Sequence, residues 1–83
     1  MTFAIDTAEK IETLVLCYLK NQTTEGAFGT ISPLGNGWYG VHADGVFARV
    51  IRGPSRWHVT IPAKQVIGAD SDLLTAAQFA MEA

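Results

Sequence analysis

The dipeptide Asp44-Gly45 sits between two runs of alternating character, Trp38–Ala43 and Val46–Ile51. Both central residues of a two-residue hairpin need positive φ, which glycine adopts freely and aspartate tolerates. The turn therefore predicts a register. Ala43 lies opposite Val46, Val41 opposite Ala48 and Tyr39 opposite Val50, while His42–Phe47, Gly40–Arg49 and Trp38–Ile51 pair on the other side of the pleat. A second turn around Gly53-Pro54 predicts a third strand, with Trp57 beside Val50, Val59 beside Ala48, Ile61 beside Val46, His58 beside Arg49 and Arg56 beside Ile51. Both turns gather the same apolar set on one face, and a slip of one residue would turn that set into water. The opposite face reads Trp38, His42, Phe47, Arg49, Ile51, Arg56, His58 and Thr60, a mixture of aromatic and basic side chains.

Helices flank this meander. Asp6 followed three residues later by Glu9 predicts a capped helix from Thr7 to about Lys20. Its apolar arc is Ala8, Ile11, Leu14, Val15, Tyr18 and Leu19, with Leu16 outside it and Cys17 expected as a small buried hydrophobe. Asn21 to Gly26 reads as a loop, Ala27 to Ile31 as a short strand, and Pro33 to Gly37 as a turn. Gln65 to Ile67 predicts a short edge strand. Asp70 and Ser71 then supply caps for a final helix to about Glu82, whose buried stripe is Leu73, Leu74, Ala76, Ala77, Ala80 and Met81, with Phe79 at its polar margin. The expected fold is an α+β two-layer sandwich: an N-terminal helix, a three- to four-stranded antiparallel meander and a C-terminal helix, with both helices on the inner face. Residues 1–83 are expected to form a single domain.

Several chemistries fit the sequence poorly. Gly35-Asn36-Gly37-Trp38-Tyr39-Gly40 satisfies G-x-G-x-x-G, but dinucleotide binding needs a helix after the glycines and a strand follows here. His42 and His58 are expected roughly 12 Å apart from standard strand spacing. Zinc ligands lie about 2 Å from the ion, so no shared metal is expected. Cys17 belongs to a helix on the other face, out of reach of either histidine. The carboxylates fall in caps, turns and helix flanks, which leaves no catalytic cluster. The chain is read as non-enzymatic and without cofactor or metal. A start without a basic region or an apolar run, no apolar stretch of transmembrane length and a single cysteine lead to the expectation of a soluble, cytoplasmic protein without membrane contact.

Charge is segregated along the chain. Every arginine lies between positions 49 and 56, while the net charge of the whole is −2. A positive sheet face backed by acidic helices would orient the domain toward a negative partner. Tryptophan and arginine are the residues most enriched at binding hot spots. The candidate partner-binding residues are therefore Trp38, Phe47, Arg49, Ile51, Arg52, Arg56 and His58. Their expected partner is a protein or nucleoprotein complex with an acidic surface, covered by steric occlusion. The alternative is single-stranded nucleic acid, with Trp38 and Phe47 stacking on bases and the arginines on phosphates. The same face could instead be covered by a second copy of the chain in a homodimer.

Three resemblances follow from these residues. The order of one helix, three strands and a closing helix resembles double-stranded-RNA-binding domains, which implies RNA contact through a lysine-rich start of the last helix. Here that place holds Ala69-Asp70-Ser71-Asp72, so the phosphate clamp is missing. The stretch from Gly37-Trp38 through Arg49 to the Ala76-Ala77 helix is similar to the three-strand-plus-helix arm domains of integrases, again without basic residues on the helix. In size, cytosolic character and lack of catalytic motifs the chain resembles small phage-encoded inhibitors such as the anti-CRISPR proteins. That likeness implies occlusion of a surface on a host nucleoprotein machine.

Overall fold

Among the described residues, six strands follow one another in sequence and in space. The computed structural model describes residues 6–83; the expectation that the start carries no targeting segment involves Met1–Ile5 and falls outside them. The order is α1 (Thr7–Asn21), β1 (Glu25–Gly26), β2 (Gly29–Gly35), β3 (Trp38–Ala43), β4 (Val46–Arg52), β5 (Trp57–Ile61), a 3-10 turn at Pro62–Lys64, β6 (Val66–Asp70) and α2 (Leu73–Glu82). The strands form one sheet in the order β1-β2-β3-β4-β5-β6, each antiparallel to the next. The α+β layering is as expected. The strand number is not, since six strands replace three or four, and this departs equally from the three-strand sheets of the RNA-binding and integrase arm domains.

The β3–β4 pairing matches the expected register at every position, from Trp38–Ile51 to Ala43–Val46. Asp44 and Gly45 take φ of 54° and 76°, as the turn requires. The β4–β5 register differs by two residues: Arg49 pairs with Thr60, Val50 with Val59, Ile51 with His58 and Arg52 with Trp57. The turn is longer than Gly53-Pro54 because it runs to Arg56, closed by the Gly53 N–H donating to the Arg56 carbonyl at 2.7 Å. An even shift preserves which side chains share a face.

The second strand also differs from expectation. Ala27 and Phe28 form the turn between β1 and β2, and the strand continues through Pro33 to Gly35. Proline is tolerated there because β1 pairs only as far as Thr30, leaving the rest of β2 an edge. Asn36 and Gly37, with φ of 55° and 85°, make a second two-residue hairpin turn, so Gly35 and Gly37 of the G-x-G-x-x-G match serve β2–β3 reversal, while Gly40 lies within β3.

The core lies between the sheet and both helices. α1 contributes Ala8, Ile11, Leu14 and Val15, α2 contributes Leu73, Ala76, Ala77 and Ala80, and the sheet contributes Ile31, Val41, Ala48, Val50, Val59 and Ile61 among others. Tyr18 packs at its margin with its ring 5.3 Å from that of Tyr39. Leu19 and Cys17, expected inside, are exposed. They flank Tyr18, which takes the core-side position in the last turn of α1, and Cys17 lines a groove against the β1 segment. Asp6 caps α1 by accepting from the Glu9 N–H at 3.1 Å. The cap of α2 is Asp72 rather than Asp70 or Ser71: its carboxylate accepts from the Thr75 N–H at 3.0 Å, while Asp70 accepts from the Asp72 N–H at 2.8 Å. Among the described residues, no helix is long and apolar enough to cross a membrane.

Candidate interaction surface

Alternation along each strand sends one set of side chains away from the helices. On the central strands that set is Trp38 and His42 from β3, Phe47, Arg49 and Ile51 from β4, and His58 and Thr60 from β5. The Arg49 guanidinium lies over the Trp38 ring, 4.7 Å from its centroid. The His42 and Phe47 rings are 4.7 Å apart and tilted by 40°. Ile51 sits between Trp38 and His58 on the ladder.

Two apolar side chains join this surface that the sequence reading did not include. The irregularity between Pro33 and Gly35 lays Leu34 over Gly40, where an added Cβ would meet Leu34 Cδ1 at 3.3 Å and Phe47 Cε1 at 3.0 Å. The sequence places Leu34 in the turn from Pro33 to Gly37. The only signal for it was a leucine in an otherwise polar, glycine-rich stretch. Ile67 lies on the same face of β6 opposite Thr60 and is 68% exposed. Its strand was expected, but its side was not assigned.

Trp38, Phe47, Arg49, Ile51 and His58 thus share one surface. Arg52 and Arg56 do not. Arg52 follows Ile51 on β4, so the pleat directs it to the helix side, where its guanidinium lies 5.5 Å from the Trp57 ring centroid. Arg56 was expected beside Ile51, but the longer turn takes it out of the ladder and His58 occupies that place. Arg52, Ser55, Arg56 and Ser71 line a polar recess of about 190 Å³ at the same end of the sheet as Trp38. The sequence set of seven residues therefore divides into a face and a rim.

The electrostatics of the face are one-sided. Among the described residues the ion pair is Lys10 with Asp44, and Arg49, Arg52 and Arg56 have no carboxylate within ion-pair distance. Glu25, opposite Thr30 on β1, is the acidic residue that shares the outer side, at the far edge from Trp38. The two shifted carboxyls lie on the other layer or at its margin. Asp44 is held below its usual range by hydrogen bonds from Lys10 and Thr7 and by the Lys10 charge. Glu12 is pushed up by burial and by neighbouring Asp72 and Glu9. Among the described residues, no three His, Cys, Asp or Glu side chains are grouped so as to hold a metal ion. Comparison of the chain with known protein families, with curated proteins and with solved structures returns no match.

Proposed function

We propose that this chain is a non-enzymatic binding protein that covers an acidic surface of a protein or nucleoprotein partner with the outer face of its sheet, and so occludes that surface. The observation that carries this reading is the stacked Arg49–Trp38 pair on a face that no described element covers. Leu34, Trp38, Phe47 and Ile51 supply apolar area worth about 25 cal/mol per Å² when a partner removes it from water. Arg49, already laid flat on an indole, loses less side-chain freedom on meeting a carboxylate than a free arginine would. Arg52 and Arg56 at the rim recess add a second point for an acidic side chain, which fixes orientation and speeds encounter. The mode of action is that of small inhibitors: a broad surface excludes other ligands from whatever it covers.

The same residues could in principle take single-stranded nucleic acid. Against that reading, Arg49 occupies a face of Trp38 on which a base would stack. The net charge of −2 also gives little general attraction to a phosphate backbone.

The test is capture of a partner from the native host by immobilised wild type, Trp38→Ala and Arg49→Glu, with melting curves of all three. The expected result is loss of the captured protein in both variants with the melting temperature nearly unchanged. Capture that survives both substitutions overturns the proposal, and so does a large loss of stability in both, which would make the face structural. A labelled oligonucleotide bound with a steep salt dependence would replace the protein reading with the nucleic-acid one.

A further inference from the structure

The connection between β4 and β5 is closed on itself, since the Gly53 N–H donates to the Arg56 carbonyl at 2.7 Å. Closure holds one arginine at each end of it. Arg52 is the last residue of β4, paired with Trp57, and Arg56 is the last residue before β5. Pro54 fixes one φ between them and stiffens the turn. The junction of β6 and α2 forms the opposite wall, where Ser71 stands between the last strand residue, Asp70, and the helix cap, Asp72. These two connections enclose the recess of about 190 Å³ that Arg52, Ser55, Arg56, Trp57 and Ser71 line. That volume is several times the roughly 30 Å³ of a water molecule in the liquid, which leaves room for a phosphate group.

The lining is rich in donors that the chain leaves unused. Guanidinium groups donate and never accept, and hydroxyls do either. Among the described residues, the side chains of Arg52, Ser55, Arg56 and Ser71 make no hydrogen bond to protein. Arg52 is nonetheless held in place, because its guanidinium lies 5.5 Å from the ring centroid of the buried Trp57. A stacked guanidinium keeps its N–H groups in its own plane, so the stack orders Arg52 without consuming a donor. The carboxylates nearest in sequence are engaged elsewhere. Asp70 accepts from the Asp72 N–H at 2.8 Å, and Asp72 accepts from the Thr75 N–H at 3.0 Å and its hydroxyl at 2.9 Å. Neither lines the recess, and on the ladder Trp57 stands between Arg52 and Asp70. Two positive charges therefore meet in one recess with no carboxylate among its lining residues.

We propose that this recess is a binding site for a phosphate monoester, with Arg52 and Arg56 holding its free oxygens and the Ser55 and Ser71 hydroxyls donating to those that remain. The arrangement of donors selects the ligand. A carboxylate presents two oxygens in one plane and suits a single guanidinium fork, whereas the donors here stand on two walls and match a tetrahedral group. A monoester enters end-on, with one stem, three free oxygens and a charge of about −1.5 to −2 at pH 7. A backbone diester has a stem on each side and a single charge, so it meets fewer of these donors. The inference deepens the reading above by naming the group that the rim accepts. Trp38 and Arg49, on which that reading rests, do not line the recess, so either proposal can fail alone.

Titration of the full chain at constant ionic strength, followed by backbone amide chemical shifts, tests this with four ligands: inorganic phosphate, N-acetyl-phosphoserine amide, the same compound without phosphate, and acetate. The expected result is a saturable shift of the Gly53, Ser55, Arg56 and Ser71 amides with both phosphates. Acetate should bind about tenfold more weakly or worse, and the unphosphorylated serine compound not at all. Arg56→Gln lies outside the ladder and keeps the carbonyl that closes the turn, so it should weaken phosphate binding by about tenfold or more at an unchanged melting temperature. Arg52→Lys keeps the charge but loses the fork and the stack, and should weaken it severalfold. Lys20→Gln removes the same charge from an exposed position on α1 and should leave it unchanged, which separates a built site from general attraction. Equal affinity for the two phosphates identifies the free group as the ligand, and tighter binding of the phosphoserine compound places the phosphate on a side chain of a partner. Shifts that do not saturate, that acetate matches, or that survive Arg56→Gln overturn the proposal.

Discussion

At Gly68 the helix and sheet layers approach so closely that no side chain fits. A Cβ there would collide with the Ala76 carbonyl oxygen and lie 2.7 Å from the Ala80 backbone nitrogen. Gly68→Ala must lift α2 from β6, and overpacking of this kind costs about 2 to 3 kcal/mol. Urea titration should show a lower midpoint at an unchanged slope; an unchanged midpoint would contradict the close approach. This residue also explains why β6 was legible only in part. Glycine and alanine are poor strand formers, so Gly68-Ala69 broke the pattern after Ile67, and the extension to Asp70 depends on contact with α2. The alanines at 76, 77 and 80 did announce a close-packed helix. What they could not announce was the residue they pack against. Arg52 and Arg56 show the same boundary: an arginine cluster is visible in any sequence, but the side each one takes depends on a turn length that Gly-Pro-Ser does not fix.

Among the elements, the hairpin closed by Asp44-Gly45 was the readable one, since two residues of positive φ admit few geometries, whereas Asn36-Gly37 was legible only as part of a longer turn from Pro33 to Gly37. The Asp44 turn also anchors α1. Lys10 Nζ donates to Asp44 Oδ1 at 2.7 Å and to Oδ2 at 3.0 Å, and Thr7 Oγ1 donates to Oδ2 at 2.9 Å. These bonds, Lys10 first, hold the Asp44 carboxyl below its usual range. A depressed folded value means that the unfolded chain binds the proton more readily, so the contribution to stability is present above the ordinary aspartate value, about 3.9, and is lost as pH falls through the folded value. Asp44→Asn keeps a residue suited to the turn but removes the charge. Its melting temperature should lie below that of the wild type at about pH 7, and the two curves should converge as pH falls through the depressed value of the Asp44 carboxyl. A gap that persists in acid would show that the turn, not the ion pair, was changed.

For the whole molecule the sidedness of the sheet was legible and its width was not. Sidedness survives a two-residue error in register because face depends on parity, so Val50, Val59 and Ile61 reached the core despite the longer turn. Width depended on β1 and β6, short or glycine-bearing edges that lack alternation. The consequence of sidedness is a stability map with one strong face. At about 0.05 to 0.15 kcal/mol per residue, a chain of 83 residues has about 4 to 12 kcal/mol to lose. Ile31→Ala opens a cavity under α1 and should cost about 2 to 5 kcal/mol, enough to leave the domain partly unfolded near 37 °C. Phe47→Ala removes a ring of similar apolar area from the other side, where it touches Gly40 and His42 but no core residue, and should cost no more than about 1 kcal/mol. Thermal melts of the two variants side by side measure the contrast. Equal losses would mean that the outer face is packed as a second core, and a packed face has no surface left with which to hold a partner.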